Sequence, residues 1–185
     1  MYVWMRMLRI AATQKSRGPF RAGAESRLTF RCLPTDIDPN LHLNNARYMM
    51  LADCGRLDIF FRSGLLKLTR SRNWGPLMGG VQAVYVREIK LWRKFDVVST
   101  IETWEGSQII GRHTFILEDG TMAAAVMTTA GVYDFTNRRF VRAGDVIEAL
   151  GYSDTPRPPT EAELAFMESH GRLRGLAKQG NLASR

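Results

Sequence analysis

Cysteine is scarce in this 185-residue chain: Cys32 and Cys54 stand 22 positions apart, and there is no CxxC pair. That excludes a cysteine zinc cluster and a disulfide framework, and it fits a reducing cytoplasm. Histidine is nearly as rare, and no two of His42, His113 and His170 have metal-ligand spacing with a carboxylate on a shared element. No metal or other cofactor is expected. Long apolar runs are missing too, because Arg6 and Arg9 break the one candidate, at the N-terminus, for the ~18 apolar residues that a membrane span needs. The same two arginines spoil a secretory core. With no GxGxxG, GKS, GKT or GxSxG in the chain, dinucleotide, P-loop and α/β-hydrolase chemistry find no support.

What is present is ordinary globular material, 45% hydrophobic and 24% charged, in a length that suits one domain with short tails. The net charge of +8 is unevenly spread. Residues 1–31 hold seven basic side chains against Glu25, whereas residues 32–150 hold fourteen basic against thirteen acidic. A near-neutral body without a helix-turn-helix or RNP-like run argues against a nucleic-acid partner.

Three segments follow from the patterning. In residues 1–24, Trp4, Met7, Leu8 and Ala11 interleave with Arg6, Arg9 and Lys15 at helical spacing, up to the Ser16-Arg17-Gly18-Pro19 breaker. This is read as a helix on the domain surface, peripheral to the chemistry; the sharper alternative is weak contact of residues 1–15 with an anionic membrane surface. Residues 25–150 form the main domain. A period-two strand around Leu28, Phe30 and Cys32 leads through a polar loop to Asn44, a good N-cap, and then to one long helix reaching about Phe61 with Tyr48, Leu51, Ala52, Gly55 and Ile59 on its apolar face. After a basic connector, four strands are expected over 80–89, 96–104, 108–117 and 121–133. On the last of these, Ala123, Ala125, Met127, Thr129 and Gly131 form a small-residue face for the helix, and the Gly79-Gly80 pair reads as the entry to the first. A short helix over 142–150 follows, and residues 151–185 are a Pro-rich linker and a surface helix opened by a Thr160/Glu163 capping box. The class is α+β, an antiparallel sheet wrapped around one long central helix.

The chemistry concentrates in Thr35-Asp36-Ile37-Asp38-Pro39-Asn40-Leu41-His42-Leu43-Asn44-Asn45-Ala46-Arg47-Tyr48, which puts two carboxylates, an imidazole and three amides at the start of that helix. On Asp38, Asn40, His42, Asn44, Asn45 and Tyr48 the chain resembles the hotdog-fold acyl thioesterases. The likeness is to the thioesterase-like branch and to the 4-hydroxybenzoyl-CoA and acyl-carrier-protein thioesterases, and it extends over residues 27–150. The resemblance implies a hotdog fold, hydrolysis of acyl-CoA or acyl-ACP, and a homodimer or homotetramer with sites at the subunit boundary.

The residues agree with that chemistry. Thioester hydrolysis needs a base or nucleophile beside the carbonyl carbon and donors aimed at the developing oxyanion. Asp38 suits the first role, and the unpaired amides of Asn45 and Ala46 at the helix start suit the second. His42 would orient the carboxylate or polarise water, Asn40 would position that water, and Asn44 would cap the helix. Tyr48 reads as core, and Asp36 as the rival to Asp38 or the partner of an arginine. Arg87 and Arg93, in a cluster with Lys90 and Lys94, would meet the carrier's phosphates. Asp53 and Asp58 have Arg56 and Arg62 three or four positions on, a spacing typical of surface pairs. His113 reads as a buried strand histidine and His170 as exposed. The alternative function is a non-catalytic acyl-CoA or lipid-binding member of the fold. Localisation is expected to be cytoplasmic, with the inner membrane surface as a peripheral address.

Overall fold

In chain order the elements are helix α1 (Val3–Thr13), strand β1 (Ser26–Arg31), helices α2 (Asn45–Arg62) and α3 (Leu65–Arg72), strands β2 (Trp74–Tyr85), β3 (Lys94–Glu105), β4 (Gln108–Leu117), β5 (Met122–Asp134) and β6 (Arg139–Phe140), and helices α4 (Ala143–Ala149) and α5 (Glu161–Lys178). The computed structural model describes residues 3–21, 23–152 and 155–180. Met1 and Tyr2 of the expected first helix, and Ser153 and Asp154 of the expected linker, lie outside the described residues.

The sheet is antiparallel throughout, in the order β1-β3-β4-β5-β2, with β6 added to β5. Helix α2, 18 residues and about 27 Å long, lies along its inner face. The expected stripe of Tyr48, Leu51, Ala52, Gly55 and Ile59 is buried there. Leu51, Ala52 and Tyr48 pack with Phe95, Val97, Phe115, Ala124 and Val126 into the main core. Gly55 is required by close approach, since a Cβ at that position would collide with the Ser99 side chain of β3.

Several expectations are corrected. The strand placed at 80–89 starts six residues earlier, at Trp74, and stops at Tyr85. Pro76 reads as a breaker in sequence, but β2 is an edge strand and tolerates a missing donor. Gly79-Gly80 is therefore no strand entry; it sits mid-strand, where the register shifts between Met78 and Gly80. His170 is not exposed on a free helix, because it seats on those glycines with Nε2 2.8 Å from the Gly79 carbonyl, where a Gly80 Cβ would collide with its ring.

Past Ala123, which packs in the main core as expected, the β5 face is out of phase with expectation. Ala124, Val126 and Thr128 turn to the core, while Ala125 and Met127 line a crevice with Ala162, Ala165 and Phe166 of α5. The run of small residues carries no polar contrast to set the phase.

Asp58 is not a surface residue. It is fully buried; its carboxylate receives Arg17 Nε (2.8 Å), Ser26 Oγ (2.6 Å) and Arg62 Nη1 (2.7 Å). Helix α1 packs on the domain as expected, and more of it is buried than a surface helix requires. Its Ile10 packs with Leu28 and Cys54, and Arg6 is buried against Asp36. At the other end of the chain, the Thr160/Glu163 capping box forms as expected, and Glu163 also holds Arg157.

Candidate active site

The loop between β1 and α2 closes on itself. Ile37 and Leu43 form an antiparallel bridge, the Asp38 N–H donates to the His42 carbonyl (3.1 Å) and the Leu41 N–H returns to the Asp38 carbonyl (3.0 Å). Leu41 turns the corner at φ 63°. This small hairpin brings Asp38 and His42 face to face across its neck.

Within it the two oxygens of Asp38 differ. Oδ1 accepts the Asn40 N–H at 2.9 Å, the turn that a short acidic side chain favours. Oδ2 has no hydrogen-bond donor among the described residues and lies 3.6 Å from His42 Nδ1, beyond direct bonding range and within reach of a bridging water. Both side chains are partly open to solvent. Asn40 contributes its backbone to the turn, and its side chain is exposed.

The helix start departs from expectation in one respect. Asn44 caps α2 by accepting the Ala46 N–H (2.9 Å), and its carbonyl accepts Arg47 N–H (2.8 Å), so the Ala46 amide is already claimed. The Asn45 N–H alone of the expected pair has no partner among the described residues. One donor at the positive end of the helix remains for an anion instead of two. The Asn45 carbonyl meanwhile takes the Tyr85 hydroxyl (3.3 Å), tying the helix start to the end of β2.

Asp36 and Asp38 are separated by environment. Asp36 is buried, 2.5 Å from Arg6 Nη2, and also accepts the Leu33 N–H (3.0 Å). It is a structural clasp, which leaves Asp38 as the carboxylate open to a substrate. Sequence reasoning missed Arg6, although it lies between Val3 and Ile10 on the stripe that is buried.

The segment after β2 runs beside this loop: Leu43 N–H donates to the Ile89 carbonyl (2.8 Å), and Lys90 stands opposite His42 in an isolated bridge. Lys90 is therefore the cation in register with the site, flanked by Arg87 and Arg93, which are both exposed. The Asp119 carboxyl is held below the usual range by its Thr121 hydrogen bonds and, more weakly, by the Arg87 charge. Tyr48 is core as expected, edge-on to Tyr85 and Phe115, with its hydroxyl pushed up to about 12 mainly by burial.

The far half of α2 holds a second feature that the sequence did not announce, a narrow apolar cavity of about 80 Å³ against α4. Arg56, Ile59, Pro76, His113, Thr128 and Val146 are among its walls. His113 Nδ1 is 2.8 Å from Ser99 Oγ, and Nε2 faces Arg56 at 3.5 Å. A guanidinium only donates, so Nε2 carries the lone pair and Nδ1–H donates to Ser99. That tautomer cannot deprotonate Ser99. Burial, helped by the Arg56 charge, lowers His113 to about 3, and burial lowers Arg56 itself to about 10. In one chain the packed core of Tyr48, Leu51 and Phe115 lies between this cavity and Asp38.

A sheet curled on one long helix, with polar chemistry at that helix's N-terminus, defines the hotdog class. The chain belongs to the thioesterase-like superfamily, whose family model matches residues 32–159. It is 32% identical over 97 residues to Protein THEM6 of Xenopus laevis, an overlap of 52% of this chain and 47% of that one. Over 135 residues it is 28% identical to Protein THEM6 of Drosophila melanogaster, covering 71% of this chain and 65% of that one. It thus spans about half to two thirds of the length of these curated relatives.

Among solved structures, the probable thioesterase YbaW of Escherichia coli superimposes with a TM-score of 0.63 at 21% identity, covering 67% of this chain and 95% of that one. The hypothetical protein SAV2348 of Staphylococcus aureus, solved in complex with CoA, gives 0.63 at 18% identity and covers 80% of this chain and 96% of that one. At these identities the two structures establish a shared fold.

Proposed function

We propose that this chain hydrolyses acyl thioesters of coenzyme A or acyl carrier protein. The observation that carries the reading is the opposition of Asp38 Oδ2 and His42, with no donor to that oxygen among the described residues, in the loop that leads to the Asn45 amide at the start of α2. Asp38 takes a proton from water while the water oxygen attacks the thioester carbon, and the carbonyl oxygen gathers charge toward the Asn45 N–H. Collapse of the tetrahedral intermediate expels the thiolate, which recovers the proton, leaving a carboxylic acid and a free thiol. Alternatively, Asp38 attacks directly and water cleaves the resulting anhydride. His42 holds the water line, and Lys90, Arg87 and Arg93 supply positive charge for the carrier's phosphates. The CoA bound to the Staphylococcus aureus relative supports that class of carrier.

The active form in this reading is a homodimer in the cytoplasm. Among the described residues strand β2 pairs with β5 on one side only, and Leu77, Met78, Val84 and Tyr85 on it are exposed. Isologous pairing of β2 with its copy runs antiparallel. Tyr85 lies at the start of α2 and Pro76 at the cavity near its end, so this pairing would carry the partner's apolar cavity toward Asp38. The half-filled oxyanion site favours a second reading, a non-catalytic acyl-thioester binder.

A thiol-release assay across acyl-CoA chain lengths decides between them. Turnover by the wild type, reduced about a hundredfold or more in a folded Asp38→Asn protein, supports hydrolysis. Tight acyl-CoA binding without thiol release supports the binder, and undiminished activity in Asp38→Asn overturns the assignment of the base.

A further inference from the structure

Helix α1 has two faces, and only one is used by the fold. Its inner face buries Val3, Arg6 and Ile10, and Arg6 fixes the rotation of the helix by bonding both Asp36 (2.5 Å) and the Arg31 carbonyl (3.2 Å). The outer face therefore cannot turn inward. It presents Trp4, Met5 and Leu8, which are 67%, 57% and 69% exposed. Three large apolar side chains within one and a half turns are an unusual cost on a surface that polar residues could cover.

The charge beside this ridge is of one sign. A groove of about 480 Å³ runs between α1 and β1, and Arg6, Arg9, Arg17, Arg27 and Arg31 line it with no carboxylate among the lining residues. Three of these arginines are spoken for: Arg6 by Asp36, Arg17 by Asp58 and Arg27 by Asp96. Among the described residues no carboxylate pairs with Arg9 or Arg31, and Arg31 donates to the Trp92 carbonyl (2.9 Å). Both are exposed, and Trp92, itself 53% exposed, is held out at φ 67° beside Arg31.

An apolar ridge flanked by guanidinium groups that no carboxylate neutralises is the chemistry of an anionic bilayer surface: aromatic and aliphatic side chains enter at headgroup depth, and arginines take lipid phosphates. We propose that the outer face of α1, with Arg9 and Arg31 beside it, docks this protein on an anionic phospholipid bilayer. The proposed contact is made by one face of one helix; no helix among the described residues is long and apolar enough to cross a membrane. It is reversible and weakened by salt, as expected for one short helix. This inference does not depend on hydrolysis. Through Arg6 and Asp36 the docked helix is nevertheless joined to the segment two residues before Asp38.

The test is co-sedimentation of the full chain with phosphatidylcholine vesicles and with vesicles containing about 30% phosphatidylglycerol, using the folded variants Trp4→Ser/Leu8→Ser and Arg9→Gln/Arg31→Gln. Binding to the anionic vesicles alone, falling about tenfold or more in each double variant, supports the proposal. Brominated lipids should also quench wild-type fluorescence more than that of Trp4→Phe. Equal binding to both vesicle types, or binding unchanged in both variants, overturns it. Saturation by inorganic pyrophosphate without vesicle binding makes the groove a site for free phosphate and overturns the lipid assignment. A change in oligomeric mass on replacing Trp4 and Leu8, with no effect on lipid binding, marks the ridge as a protein contact and does the same.

Discussion

Asp38 and Asp58 stand near opposite ends of the same helix, and the difference between them separates a carboxylate consumed by the fold from one left open to a ligand. Asp58 is sealed from water with three side chains donating to it, from α2 itself, from the segment after α1 and from β1. Asp38 spends one oxygen on a turn and leaves the other facing His42 with solvent access. A carboxylate whose hydrogen bonds are all made has nothing left for a substrate. The histidines divide in the same way, with His113 buried and locked in one tautomer and His42 half open.

The largest expected effect breaks the comparison at its buried end. Asp58→Ala leaves Arg17 and Arg62 without their carboxylate, and chemical denaturation should show a loss of about 3–5 kcal/mol, or no folded protein. Asp38→Asn should leave the same denaturation curve nearly unmoved. Arg6→Ala comes next: it strands the buried Asp36, with an expected cost of about 3 kcal/mol. It should also lower turnover, because the loop carrying Asp38 loses its clasp; full activity in that variant would show that α1 is peripheral after all.

The third expectation concerns pH. His113 titrates at about 3 in the folded chain and near 6.5 when unfolded, so between those values the unfolded state binds the extra proton. Its contribution is complete above about pH 6.5, and stability should fall by up to about 1.4 kcal/mol per pH unit as pH drops toward 3. His113→Gln should flatten that slope in urea titrations at stepped pH. The smallest effect is Asn44→Ala, about 1 kcal/mol from a lost cap, with a partial gain of the Ala46 amide for anion binding that the Michaelis constant for acyl-CoA would register.

The acid loop and the start of α2 were legible in the sequence because their determinants are local: an Asx turn, a cap and a polar cluster within ten residues. The curled sheet was legible from its turns. What escaped depended on distant partners. Asp58 looked like half of a surface pair because Arg62 is four positions away, while its partner Arg17 is 41 positions away. The phase of β5 escaped because alanines carry no preference for either face, and the early start of β2 because a proline reads as a break until the strand is known to lie at an edge. The doubled oxyanion donor was an overcount, since the cap that starts the helix also consumes one of its amides.

That single unclaimed amide has a consequence for kinetics. In the proposed hydrolysis one N–H meets one lone pair of an oxyanion, so a fully stabilised intermediate needs a donor that the described residues at the helix start do not supply. If a second copy supplies it, output per chain depends on mass action. Specific activity would then be constant at high protein concentration and fall on dilution as copies separate, and it would recover on reconcentration. An enzyme of this kind is switched by its own abundance.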